Sequence, residues 1–241
     1  MRRRLLINSQ ALTRAGSLLL LAVMILNCAG CAFFATAYQN ARGTSVSAQY
    51  TGLDNHSVAI LVYADDSITF MYPQAREEIS GFIADQFQKN MPSVRLLDYQ
   101  QVIAYQDQTP GWESLPIKSV GDHFSVDRVL YLELVNYTTH AAGATDLLQG
   151  HIEANVYIYD TKLPGDGLVY QTHVDVYSPA NGPAPPFDSD ENSVRMAALG
   201  EFSRDVVRNF YNWHNYAPDQ DNTGNTDNTG SDESENLINQ Q

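Results

Sequence analysis

The chain has 241 residues, with 14 Lys and Arg against 28 Asp and Glu, for a formal charge of −14 at pH 7. That surplus of carboxylates argues against nucleic acid as a partner, because affinity for phosphate chains comes mainly from Lys and Arg, and against docking on an anionic lipid surface. Its length leaves room for one domain with a sizeable core.

Arg2, Arg3, Arg4 and Arg14 come before or beside an apolar run that ends in Leu18 to Cys31, LLLLAVMILNCAGC, and no acidic residue precedes Cys31. A basic start, a short apolar centre and small residues at its end make residues 1–30 a secretory signal peptide. The run falls short of the roughly 18 apolar residues that a spanning helix needs. Ala29-Gly30-Cys31 resembles the lipobox of bacterial lipoproteins, with Cys28 standing where Leu is usual. The resemblance implies cleavage before Cys31, acylation of Cys31 by several chains including palmitate, and stable anchoring in the cell envelope with the protein facing the periplasm. Cleavage would remove four basic residues and no acidic one, leaving ten basic against 28 acidic residues and a charge of −18. Cys31 would then be the only cysteine, so no disulfide is expected and stability must come from the core.

Residues 31–56 are mostly Ala, Gly, Ser, Thr, Gln and Asn with no sustained period, and are expected to form a flexible tether. Ser57 to Ala64 is a continuous, β-branched apolar run, as a strand buried on both faces should be. Asp65-Asp66 ends it. From Tyr72 the period changes, and Ala75, Ile79, Phe82, Ile83 and Phe87 form one helical stripe, with Glu77 and Glu78 near its start and Pro92 beyond its end. Val94 to Leu97 reads as a second strand, and Asp98 opens a short helical stretch through Val102, Ile103 and Tyr105. A loop at Pro110-Gly111 and one helical turn over Ser119 to Phe124 lead to a third strand, Arg128 to Val135, in which Leu130, Leu132 and Leu134 alternate with Tyr131 and Glu133.

The strongest pattern follows. Ile152, Ala154, Val156 and Ile158 alternate with His151, Glu153, Asn155, Tyr157 and Tyr159; Pro164-Gly165-Asp166-Gly167 turns the chain; and Tyr170, Thr172, Val174 and Val176 alternate with Gln171, His173, Asp175 and Tyr177. This is a long antiparallel hairpin. Val194, Ala198, Phe202, Val206, Phe210 and Trp213 lie at the spacing of a last helix, and residues 217–241, with acidic but no basic residues, should be a disordered acidic tail. The expected fold is α/β (α+β): a two-layer sandwich in one domain over 57–216, with a mixed sheet, the long antiparallel hairpin, and helices on one face.

The polar face of the hairpin gathers His151, His173, Tyr157, Tyr159 and Tyr177 beside Glu153 and Asp175, and is the candidate interface, although the outer face of an antiparallel sheet is polar by construction. Asp65 and Asp66 sit where α/β sheets collect ligands, or where a helix begins. There is no Gly-x-Ser-x-Gly, no Gly-rich phosphate loop and no His-Glu-x-x-His. His151-x-Glu153 begins a zinc-deaminase signature, but no Pro-Cys-x-x-Cys follows it. In the tail, Asp219, Asp221, Thr223 and Gly224 align with a calcium loop, yet Gly230 stands where its bidentate Glu must be. No catalytic residue, cofactor or metal is therefore assigned.

A first strand VAILVY, an amphipathic helix, a short strand before a helix, the strand VLYLELV and a hairpin opening LLQGHIEANVYIYDT resemble, over Ser57 to Tyr177, the core of the curli-secretion lipoprotein, of the lipoprotein activators of peptidoglycan synthases and of the N-terminal domain of the Tol-system propeller protein. The resemblance implies a non-enzymatic, lipid-anchored envelope protein that binds a protein partner or helps assemble a complex. Asn136 to Asp146 is too short and polar to form the membrane-spanning hairpin of a pore. The alternatives are a small-ligand binder using the aromatic hairpin face and a metal-dependent hydrolase using His151 and His173 or Asp65 and Asp66.

Overall fold

A computed structural model describes residues 44–144, 146–185 and 190–215. The expected signal peptide, Cys31 and the tail lie outside the described residues. The described residues form a compact unit over Val46–Trp213. Strand β1 (Thr44–Val46) pairs with a last short strand at Trp213–Asn215.

Strand β2 (Ser57–Tyr63) buries every residue from Val58 to Val62, so both of its faces are covered. Asp65 stops it: the carboxylate accepts the N–H of Ile68 at 2.9 Å and caps helix α1 (Asp66–Met71). Helix α2 (Ala75–Asn90) buries Ala75, Ile79, Ile83 and Phe87, with Glu77 and Glu78 in its first turn and Lys89 in its last, each where the dipole favours it. After β3 (Arg95–Leu96), Asp98 caps helix α3 (Tyr99–Gln108) through the N–H of Gln100, and a single 3-10 turn at Trp112–Ser114 leads to α4 (Ile117–His123). The long strands β4 (Arg128–His140), β5 (Leu148–Asp160) and β6 (Leu168–Ser178) follow. Helix α5 (Glu191–Arg208), capped by Asp190, and β7 (Trp213–Asn215) end the described chain.

The sheet runs β3-β2-β4-β5-β6. β2 pairs in parallel with β3 and β4, and β4, β5 and β6 form an antiparallel meander, so the mixed sheet and the long hairpin stand as expected. Helices α2 and α5 cover one face, where Ile60, Leu130, Ile152 and Ile158 meet Phe87, Phe202 and Phe210. On the other face a second core joins Ala59, Leu61 and Val129 to Val102, Trp112 and Val120. The expected arrangement of helices on one face therefore holds only for the antiparallel half. The parallel half has helices on both sides, because the crossover from β2 to β3 and the one from β3 back to β4 run in opposite directions along the sheet and, both being right-handed, pass over opposite faces.

Three boundaries shift. The tether expected over 31–56 stops short, since Leu53 is fully buried and Tyr50 stacks on Tyr170 with ring centroids 5.4 Å apart. The backbone N–H groups of Gln49 and Tyr50 also donate to the carbonyl of Asn209 at 2.8 and 3.0 Å. Two large side chains dock a stretch whose composition otherwise reads as linker. The third strand continues past Val135 to His140 through an irregularity in the register between Leu134 and Asn136, and Trp213, expected on the last helical stripe, stands in β7 beneath the Arg208 guanidinium.

Candidate functional site

Alternation along β5 buries Ile152, Ala154, Val156 and Ile158 under α2 and α5 and turns His151, Glu153, Asn155, Tyr157 and Tyr159 outward. Register then sets their neighbours: His151 faces Tyr177, Glu153 faces Asp175, Asn155 faces His173 and Tyr157 faces Gln171 on β6, while Glu133 faces Asn155 and Tyr131 faces Tyr157 on β4. All five candidate residues, His151, His173, Tyr157, Tyr159 and Tyr177, thus share the outer face. They fall into two groups. His151 and Tyr159 are separated by roughly 26 Å of strand at about 3.3 Å per residue, so Tyr177 does not join the other two tyrosines.

At the His151 end, the imidazole lies flat on Tyr177, with centroids 4.0 Å apart and planes at 12°. Its Nε2 is 2.9 Å from Asp175 Oδ1 and 3.9 Å from Glu153 Oε2. His173 is held through Nδ1 by Asn155 Oδ1 at 3.0 Å and approaches Glu153 Oε1 through Nε2 at 3.3 Å. Each imidazole is thereby tied into a network of side chains on its own face. Among the described residues no group of three or more His, Cys, Asp and Glu is arranged to hold a metal ion.

At the other end three tyrosines pack together. Tyr131 stacks on Tyr157 at 5.8 Å, and Tyr159 lies 6.4 Å from Tyr131 and 6.3 Å from Tyr157. Glu133 Oε2 accepts from the Tyr157 hydroxyl and from Asn155 Nδ2, both at 3.4 Å. Burial raises the Tyr131 phenol far above its ordinary range, with the Glu133 carboxylate adding to the effect, and the same causes raise Tyr157. Tyr159 is raised by burial and by Tyr157. All three are neutral hydroxyls at physiological pH. Tyr131 and Tyr159 also line a groove of about 450 Å³ together with Leu115, Ile117 and Lys118 and with Gly165 and Asp166 of the hairpin turn.

Sequence reasoning missed Tyr131, Glu133 and the Leu115–Lys118 wall as parts of this face. The alternation of Tyr131 and Glu133 with Leu130, Leu132 and Leu134 was visible, and only the pairing of β4 with β5 was lacking. Ile117 carried no periodic signal. Asp65 and Asp66 are not drawn into this face. Asp65 accepts from the Ile68 N–H and from Ser67 Oγ, at 2.9 and 2.7 Å, and these bonds hold its carboxyl below the ordinary range, which is the work of a helix cap.

No protein-family model and no curated protein sequence matches the chain. Solved structures with a similar course include the PelC dodecamer from Paraburkholderia phytofirmans, at TM-score 0.40 and 10% identity over 70% of this chain and 97% of that one. Lipoprotein GNA1162 from Neisseria meningitidis matches at TM-score 0.37 and 12% identity over 60% and 96%. The hypothetical protein CT253 from Chlamydia trachomatis matches at TM-score 0.40 and 16% identity over 63% and 92%. Likeness at this level bears on no residue, activity or partner of the chain described above.

Proposed function

We propose that the protein is a lipid-anchored module of the cell envelope, held by acylated Cys31, that captures a protein partner on the outer face of the β4-β5-β6 meander and carries out no chemistry of its own. One observation carries the reading: among the described residues the helices on the outer face pack over β2, β4 and the turn end of β5, and the aromatic rings, imidazoles and carboxylates beside them are already fixed by one another. Tyrosine offers a large contact area at small entropic cost with a hydroxyl that tolerates water, and a surface whose side chains are tied in place before binding loses little freedom on association. Its role is then akin to that of the assembly lipoproteins which the element order resembles. The membrane supplies location, and the Tyr and His face supplies recognition.

The test is site-specific photocrosslinking in membranes. A photoreactive residue at Gln171, exposed opposite Tyr157, should join the protein to a single envelope protein, and one at Lys89 on α2 should not. Crosslinks from Lys89 with none from Gln171 would refute the assignment.

A further inference from the structure

We infer that the cleft at the carboxyl end of β2 receives the guanidinium group of an arginine side chain. The topology makes the cleft. The segment that follows β2 turns toward one face of the sheet while the crossover from β3 to β4 passes over the other, and the two leave a crevice at the carboxyl end of β2, the position at which open α/β sheets take ligands. It has a volume of about 550 Å³ and lies between Tyr63–Thr69 on one side and Gln106–Glu113 on the other.

Charge gives the sign of the ligand. Four carboxylates, Asp65, Asp66, Asp107 and Glu113, line the cleft against one cation, Arg76. Asp65 is committed to its helix cap and Asp107 to Arg76 at 2.7 Å. Asp66 and Glu113 make no side-chain hydrogen bond or ion pair among the described residues. Gln106 and Asp107 stand in the last turn of the ten-residue α3, whose carboxyl end favours positive charge.

Gln106 supplies the independent observation. β3 covers only Ser57 and Val58, so among the described residues the edge of β2 beyond them has no strand beside it, and Gln106 serves in its place by donating from Nε2 to the Val62 carbonyl at 2.8 Å. The residue is 96% buried, and among the described residues its Oε1 has no hydrogen-bond partner. The reverse orientation of the amide would set two carbonyl oxygens against each other, so the atom left over is an acceptor. A buried acceptor without a donor is rare and costly, and this one belongs to a residue that lines the cleft. Tyr63 and Trp112 stand edge to face beside it, with centroids 6.2 Å apart. Two free carboxylates, an unpaired amide oxygen and an aromatic wall match a planar cation with several donors better than a compact ammonium, because guanidinium is weakly hydrated, stacks on rings and donates in a fork.

The site itself stands apart from the partner-capture reading; that the arginine belongs to a partner protein rests on it. The experiment uses the mature chain carrying Trp213→Phe, which leaves Trp112 as its sole tryptophan. It is titrated at low salt with N-acetylarginine methylamide and with its neutral isostere, N-acetylcitrulline methylamide. The expected result is a saturable change in Trp112 emission with the arginine compound, binding at least tenfold weaker for the citrulline compound, and a several-fold loss of affinity with the melting temperature unchanged in the Asp66→Asn/Glu113→Gln double variant. Gln106→Leu should also lose the preference for the arginine compound. No saturable response, equal response to the two compounds, unchanged affinity in the double variant, or saturation by calcium ion alone would each overturn the inference. If the Tyr and His face still captures its partner while the arginine compound does not bind, the cleft assignment fails and the partner-capture reading stands.

Discussion

Tyr131 and Tyr157, on neighbouring strands, stack at 5.8 Å with 27° between their planes, and Tyr159 closes on both. A platform of this kind behaves as a unit, and truncating a residue at the centre of an interface typically costs about 2 kcal/mol or more. Tyr157→Ala and Tyr159→Ala should each weaken partner capture at least about tenfold, which corresponds to roughly 1.4 kcal/mol, while leaving the fold intact. Binding isotherms read beside melting curves check this. Normal binding by both variants would remove the platform from the interface.

The His151 end should behave differently. His151 is fixed by the Tyr177 ring and Asp175, and it offers the partner little beyond the edge of a network. His151→Ala is expected to give a graded loss of capture. Total loss of function in His151→Ala or His173→Ala, together with a metal requirement in the parent protein, would favour the hydrolase alternative instead.

Asp127 ties the beginnings of β2 and β4 together. It accepts from the Ser57 N–H at 3.0 Å and hydroxyl at 2.8 Å, pairs with Lys162, and lies 3.5 Å from Arg95. The Lys162 hydrogen bond foremost, with those of Ser57, holds its carboxyl well below the model-peptide value of 3.8. A carboxyl depressed in the folded state stabilises the fold fully above its unfolded value, and that stabilisation is lost as pH falls through the folded one. Asp127→Asn should therefore lower stability by about 1–3 kcal/mol at pH 7, and its deficit against the parent should shrink as pH falls below 3.8. Urea unfolding of both proteins at pH 7 and pH 3 measures it. A deficit that is the same at both values would show that the loss is not one of charge.

Gly150 is where α5 sits down on β5. A Cβ there would come within 2.5 Å of Ala198 Cβ and 3.3 Å of the Val194 carbonyl oxygen. Gly150→Ala should destabilise the domain by about 1–3 kcal/mol, as overpacking does, and Ala198→Gly should recover part of that in the double variant. Thermal unfolding of the four-member cycle isolates the coupling. Strict additivity would mean the two residues do not meet.

Acylation is expected at Cys31 and not at Cys28. Metabolic labelling with a fatty-acid probe should mark the parent and Cys28→Ala but not Cys31→Ala. Label that persists in Cys31→Ala would sink the lipobox assignment.

Local spacing alone determined much of this protein. The stripes of Ile79, Ile83 and Phe87 and of Val194, Ala198, Phe202 and Val206 are buried on one face of the sheet, and the alternation about Ile152 to Ile158 separates core from outer face. The alternation along both arms of the hairpin also placed all five candidate residues on a single surface. Periodicity is a property of neighbours in the chain, so it could say which way a side chain turns but not what it meets. Tyr131 meets Tyr157, and His151 meets Tyr177, through register between strands. Val102 and Val120 come from short segments with too few apolar residues to show a stripe, and they find Ala59 and Leu61 only after the second crossover has passed to the opposite face. Leu53 joins the core and Tyr50 packs against it, two side chains in a polar stretch, because the domain leaves places for them. Gln106 reads as one more helix polar residue until β3 ends early and exposes the carbonyl of Val62. Which groups meet was decided by long-range pairing, whose energy depends on surfaces that do not exist until the chain has folded.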